Sequence, residues 1–243
     1  MKEKRYFYNE KLNVGELITL VDEEFHHLTN VMRTRQGDKV CLFNGNGNFY
    51  FGEVIEIAKK FAKIQIERME ESKSEPKVQI DVYQALAKGD KLSLIMQKIT
   101  ELGASKLVLF DSDFCDVKAN FNKQDRMDSI SISAAKQCGR ASIVESQGIL
   151  KVKEIAEIIK DYDEFFVAYE NEDGHTLVDV LLEKKNSLKK VAIMIGAEGG
   201  FSEKEISILK ENGANIVSLG TRILRTETAS ISCTAIISQI LEN

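Results

Sequence analysis

Two short segments near the C-terminus constrain the fold more than anything else in the chain. The apolar runs Val191-Ala-Ile-Met-Ile195 and Asn215-Ile-Val-Ser-Leu219 read as strands inside a sheet. Each runs into a glycine-bearing turn: Gly196-Ala-Glu-Gly-Gly-Phe-Ser202 after the first, Gly220-Thr-Arg-Ile-Leu-Arg-Thr-Glu-Thr228 after the second. Each turn then enters a helical pattern. Strand, tight turn and helix in succession is the grammar of a parallel sheet covered by helices. In open sheets of that kind ligands sit beyond the carboxyl ends of the strands, so two adjacent loops there imply one shared small-molecule pocket.

The chain ahead of these segments changes character once. Residues 1–69 have strand runs at 16–20, 39–43, 49–57 and 61–66, several alternating polar and apolar residues at period two. Asn44-Gly-Asn-Gly47 reads as a hairpin turn, because Asn and Gly accept positive φ at low cost. One helix is expected over Asp22–Met32, with Asp22 as its cap. Glu70–Lys77 is polar and holds the only proline, which makes it the expected linker. Strands and helices then alternate: strands at 78–85, 106–110 and 165–169, helices at 88–102, 125–138, 152–160 and 228–241. Gly103 and Gly139 stand at helix ends, and Ser202-Glu-Lys-Glu205 forms a capping box for a helix closed by Gly213. The fold class is α/β, with a small β-rich domain over 1–72 and the larger domain over 73–243.

Several classes of function are excluded. There is no GxxxxGK[ST], GxGxxG, GxSxG or HExxH segment. Three histidines, two of them adjacent, and four scattered cysteines make neither a metal site nor a disulfide frame, and fit a reduced, cytoplasmic chain. No apolar run is long enough for a membrane span, and no apolar stretch follows the basic start. Residues 1–72 carry eleven basic and twelve acidic side chains, so an RNA face there must be built by segregation in space.

The chemistry concentrates in the two loops. Gly196–Ser202 fits plain packing, and it equally fits close approach of a ligand to backbone N–H groups at a helix start. Glu198 would repel a phosphate, which favours a ligand with hydroxyls, amines or a positive centre. In the second loop Arg222 and Arg225 stand either in an internal ion pair with Glu227 or facing an anionic or electron-rich partner.

These residues carry a resemblance. The chain resembles the bacterial small-subunit rRNA uridine-N3 methyltransferases of the knotted SPOUT superfamily (the RsmE family). The likeness runs through Arg5-Tyr-Phe7, His27-Leu-Thr-Asn-Val-Met-Arg33, Lys88-Gly-Asp-Lys91, Gln97-Lys-Ile-Thr-Glu-Leu-Gly103 and Ala135-Lys-Gln-Cys-Gly-Arg140 to the two loops. The family pattern has proline where this chain has Ala197. The resemblance implies a PUA-like N-terminal β-barrel, a C-terminal domain with a trefoil knot, a homodimer formed through that domain, and S-adenosylmethionine as cofactor. It implies cofactor binding by Ile195, Gly196, Glu198, Gly199 and Gly200 from the first loop and by Leu219, Gly220, Ile223, Leu224, Arg225, Thr226 and Thr228 from the second. Arg225 and Glu198 are the expected catalytic pair. Arg5, His26, His27, Arg33, Lys88, Lys98 and Arg140 are the expected contacts to small-subunit rRNA, free or in the assembled subunit. The competing readings are a knotted methyltransferase with another RNA target and a non-catalytic RNA-binding assembly factor.

Overall fold

The computed structural model describes residues 4–115 and 124–242. It divides into two compact units. The first runs to Glu75 and also takes in Ala135–Ile143; the second holds Pro76–Ala134 and the chain from Val144 onward.

In the first unit, among the described residues, strands β1 (Arg5–Phe7), β2 (Leu17–Leu20), β3 (Lys39–Phe43), β4 (Asn48–Ile57) and β5 (Ala62–Glu71) form one sheet in the order β1-β3-β4-β5-β2. β1 pairs parallel with β3, and the other pairs are antiparallel. Ala62, Ile64 and Ile66 of β5 point inward at period two while their neighbours stay wetter, which is how a one-sided sheet buries its apolar face. Tyr6, Leu28, Leu42 and Val54 complete that core. Between β3 and β4 the chain reverses at Asn44–Gly47, where Gly45 and Gly47 hold φ of 87° and 83°.

Three local expectations need correction. β5 continues to Glu71, so Glu70 and Glu71 pair with Phe49 and Asn48 instead of opening the linker. The expected helix is an α-turn, α1 (Asp22–His26), followed by a π-helical turn over His27–Val31. Its cap position is Val21, with no side-chain cap; Asp22 itself sits at φ 50°.

A buried ion pair closes this unit. The Glu75 carboxylate accepts from Nε and Nη2 of Arg140 at 3.1 and 3.0 Å and from the amides of Ala141 and Ser142 at 2.7 and 3.0 Å. Burial alone would raise the Glu75 pKa, but the guanidinium and the two amides hold it below the usual carboxylate range. Its contribution is therefore present above that range and is lost as pH falls through the depressed value. Glu75→Gln removes the carboxylate charge that faces the Arg140 guanidinium, in a site where the arginine side chain is 5% exposed. Urea unfolding at neutral pH should show a loss of about 3 kcal/mol, shrinking in acid. A loss below about 1 kcal/mol would mean that Arg140 is neutralised by another group.

In the second unit, among the described residues, β6 (Gln79–Ala85), β7 (Lys106–Asp111), β8 (Glu145–Lys151), β9 (Glu164–Ala168), β10 (Lys190–Ile195) and β11 (Asn215–Val217) make an all-parallel sheet in the order β11-β9-β10-β6-β7-β8. β10 lies between β9 and β6 and is buried from Val191 to Ile195, as the unbroken apolar run requires. Helices α2 (Lys91–Glu101), α3 (Gln124–Cys138), α4 (Val152–Ile158), α5 (Leu177–Lys184), α6 (Glu203–Glu211) and α7 (Thr226–Glu242) connect or follow the strands. α2 buries Leu92, Ile95, Met96 and Ile99, a stripe at helical spacing. α6 starts at the expected capping box, with the Glu205 amide donating to Ser202 Oγ at 3.2 Å. β8 and α5 were not anticipated.

The strand order changes one expectation. β10 and β11, whose loops read as adjacent, are not neighbouring strands, because β9 runs between them. The segment that follows β9 therefore lies between the two glycine-bearing loops.

Candidate functional site

A cleft of about 800 Å³ opens beyond the carboxyl ends of β9, β10 and β11. Its first wall is the turn after β10. The Gly200 amide donates to the Ala197 carbonyl at 3.0 Å, and Gly200 holds φ 73°. A Cβ on Gly200 would lie 2.4 Å from Oε1 of Glu170, so the turn and the segment after β9 touch through a glycine surface. The second wall is Ser218–Arg225, where Ile223 is 87% exposed at the rim, costly for so large an apolar side chain. The third is Tyr169–Asp173, which brings Glu170, Glu172 and Asp173 to the cleft.

The floor is polar and buried. Thr226, the first residue of α7, donates its hydroxyl to the Gly196 carbonyl at 2.7 Å and accepts from Nε2 of Gln84 at 2.9 Å. Thr226 and Gln84 are 5% and 0% exposed.

Charges are distributed unevenly at the rim. Lys91 Nζ donates to Oε1 of Glu198 at 2.6 Å and lies 3.6 Å from Oε2 of Glu227. Burial alone would raise the Glu198 pKa. Hydrogen bonds from Lys91 and from the Glu198 and Lys88 backbone reverse this and leave the carboxyl below its usual range. The same Glu198 bond raises the Lys91 ammonium above the ordinary lysine value. A carboxylate held this way is a weak proton acceptor. Arg222 and Arg225 are exposed, and among the described residues neither guanidinium has a hydrogen-bond or ion-pair partner. The internal ion pair with Glu227 that the sequence left open does not form; Glu227 faces Lys91.

Every residue of the expected cofactor group lines this cleft except Gly199 and Thr228. Gly199 turns toward Phe114, whose Cβ would be 2.8 Å from an added Cβ, and Thr228 is exposed on α7. Lys91, Thr176 and the Tyr169–Asp173 segment also line the cleft and were missed from sequence, as was Gln84 in its floor. Lys91 stood inside the quoted Lys88–Lys91 motif. The run of Glu170, Glu172 and Asp173 was visible as an acidic loop after a strand, but only the strand order gives it a place.

The expected RNA-contacting residues fall into different settings. In the first unit His26 and Arg33 are exposed. His27 packs edge-on against Tyr6, and burial followed by the Lys136 charge lowers its pKa, against the opposing pull of Glu24. Arg5 stacks over Phe49 and donates to the Lys136 carbonyl at 3.5 Å. Arg140 is the buried partner of Glu75 and is not available to a ligand. In the second unit Lys88 is exposed and Lys98 pairs with Glu101 at 2.9 Å. Among the described residues no three His, Cys, Asp or Glu side chains stand together as metal ligands, and no helix is long and apolar enough to cross a membrane.

Residues 73–238 match the family model of the RNA methyltransferase domain, and residues 20–67 match that of the RNA methyltransferase PUA domain. The chain belongs to the RNA methyltransferase family. Its relatives narrow this to one group. Ribosomal RNA small subunit methyltransferase E of Bacillus subtilis is 30% identical, with 97% of this chain and 96% of that protein aligned. The enzyme of the same name from Buchnera aphidicola (subsp. Acyrthosiphon pisum) is 31% identical over 95% and 90%. A crystal structure of ribosomal RNA small subunit methyltransferase E from Neisseria gonorrhoeae bound to S-adenosyl methionine superposes with a TM-score of 0.87 at 29% identity, covering 98% of both chains.

Proposed function

We propose that this protein methylates N3 of a uridine in small-subunit ribosomal RNA, with S-adenosylmethionine as methyl donor. The observation that carries the reading is the cleft itself: two glycine turns and an acidic segment enclose a space for a ligand with a positive centre, and an unpaired arginine stands at its rim. The whole-chain likeness to ribosomal RNA small subunit methyltransferases E supports the substrate class. The relative crystallised with S-adenosyl methionine supports the cofactor.

S-adenosylmethionine supplies an activated methyl carbon. The residues of this chain then act as follows. Gly196, Gly200 and the backbone from Leu219 to Leu224 form the walls that hold and align the ligand, and alignment is most of what a displacement reaction needs. Glu170, Glu172 and Asp173 give the cleft a negative potential suited to a cationic ligand. Uridine N3 becomes a nucleophile when its proton leaves, and the charge then rests partly on the neighbouring carbonyl oxygens. Arg225 stabilises that charge. Glu198 fixes Lys91 at the rim, and water takes the N3 proton.

We extend the proposal to the rest of the chain. The region 1–72 forms a PUA-like barrel that holds RNA through His26 and Arg33, while Lys88 and Lys98 serve the region 73–243. The C-terminal segment is threaded as a trefoil knot, as the resemblance to the knotted methyltransferases implies. The protein acts in the cytoplasm as a homodimer joined through the second unit. α7 buries Ala229, Cys233 and Ile237 but leaves Ile231 and Ala235 half-buried, a face suited to a second copy. Light scattering should give twice the chain mass of 27.3 kDa; a fully active monomer would remove the dimer from the reading.

The decisive experiment is incubation with S-adenosylmethionine and small subunits from a strain lacking this gene, followed by nucleoside mass spectrometry. The expected product is 3-methyluridine in the small-subunit RNA. A methylated ribose or another base would reassign the target, and no methylation with intact cofactor binding would favour an assembly factor.

A further inference from the structure

The floor of the cleft has a direction built into it. Gln84 is the penultimate residue of β6 and is fully buried. Its Nε2 donates to Thr226 Oγ1 and to the Ala85 carbonyl, each at 2.9 Å. Its Oε1 accepts from the Ser230 hydroxyl. Ser230 is also fully buried, one turn along α7 from Thr226. The Ala85 carbonyl only accepts, so it fixes which end of the amide is the nitrogen and leaves Oε1 facing Ser230. An amide nitrogen only donates, so the Thr226 oxygen must accept from it. A hydroxyl has one proton, and that of Thr226 is thereby committed to the Gly196 carbonyl.

An apolar side chain is the ordinary occupant of such a strand position, since a buried amide must find all its partners or destabilise the fold. Here the partners connect the first loop of the cleft to the start of the helix that follows the second. The glycine turn folds back closely on Gly196: a Cβ there would lie 3.1 Å from the Gly200 carbonyl carbon. A shift of the Gly196 carbonyl therefore carries the glycine turn with it.

We propose that Gln84 is a positioning residue of the cofactor site. Its amide orients the Thr226 hydroxyl onto the Gly196 carbonyl and so sets the spacing of the two loops between which S-adenosylmethionine binds. The inference rests on that cleft being the S-adenosylmethionine site.

The test reverses the polarity without changing the shape. In Gln84→Glu an ionised carboxylate only accepts. Thr226 and Ser230 would both turn their protons to it, and Gly196 would lose its donor. When protonated, the single acid O–H can replace the amide N–H toward Thr226, so the bond to Gly196 survives and only the donor to the Ala85 carbonyl is lost. Burial raises the pKa of such a carboxyl toward neutrality. Calorimetric S-adenosylmethionine affinities should be measured for wild type and Gln84→Glu at pH 6 and pH 8, with melting temperatures in the same buffers. The wild type at each pH removes the titration of the ligand. The variant should bind within about threefold of wild type at pH 6 and about tenfold more weakly at pH 8, the size of one well-made hydrogen bond. Thr226→Val should bind about tenfold more weakly at both pH values, and Thr226→Ser should recover most of the loss. If Gln84→Glu does not fold, the two Thr226 variants decide the matter.

Affinity of Gln84→Glu that follows wild type at both pH values, with infrared absorption showing the carboxyl ionised at pH 8, would overturn the proposal. So would Thr226→Val with a lowered melting temperature and wild-type affinity, because the network would then serve stability alone. A wild-type protein that binds no S-adenosylmethionine would overturn the assignment of the cleft instead.

Discussion

Single-turnover methyl transfer by Arg225→Ala is expected to fall about 10²–10³-fold, while S-adenosylmethionine affinity changes by less than about threefold. Arg225 lines the cleft, and its guanidinium is exposed and unpartnered. It therefore contributes little to stability, and its removal leaves no orphaned carboxylate. Its proposed partner is charge that develops on the uracil only as N3 loses its proton. An interaction made mainly in the transition state lowers the rate and leaves ground-state binding nearly untouched. Arg225→Lys should recover only part of the rate, since a point charge lacks the planar fork that can bridge two acceptors. If cofactor binding collapses and the bound fraction still reacts at the normal rate, Arg225 belongs to the binding wall. The stabilising charge would then be sought in Arg222 or Lys91.

The second large effect is expected at Gly200. The residue holds φ 73°, a region that excludes β-branched side chains, and Oε1 of Glu170 stands 2.4 Å from where a Cβ would be. Gly200→Val should reduce S-adenosylmethionine affinity by about a hundredfold or more, because about 3 kcal/mol of backbone strain and collision falls on the turn that walls the cleft. Two causes contribute and can be separated. Glu170 is a flexible side chain and can swing aside, whereas the backbone cannot leave its positive φ without rebuilding the turn. Adding Glu170→Ala to Gly200→Val removes the collision alone. Recovery of less than about tenfold in the double variant would assign the loss to the backbone, and full recovery would show that the turn tolerates valine.

These two residues were legible because their signals are local. A strand that is apolar at every position, a glycine turn and a capping box are written within a dozen residues, and β10, α6 and the first wall of the cleft follow from them. Elements that depend on distant partners were not. β8 reads Glu-Ser-Gln-Gly-Ile-Leu-Lys and has no apolar face of its own; it exists because β7 offers an edge. β1 is three residues long and is a strand only through its pairing with β3. α5 is a different kind of miss. Thr176 and Asp179 form a capping box, and Leu177, Val180 and Leu181 make a buried stripe, so the pattern was there to be read. The acidic segment after β9 and the amide of Gln84 owe their roles to strand order, which no local window contains. Arg140 shows the opposite error. An arginine in a polar stretch reads as solvent-facing until its buried partner, Glu75, is seen.

The first unit is not one stretch of chain. Its last nine residues, Ala135–Ile143, arrive after nearly sixty residues that belong to the second. A ribosome making this protein releases β1 to β5 well before the segment that completes them. Until Arg140 emerges, Glu75 has no buried counter-charge, and Phe43 lacks the cover of Ala135 and Ala141. The N-terminal unit must therefore wait during synthesis with an open face. A fragment cut near Lys77 would keep Ala135–Ile143 and strip that segment of the strands it packs against.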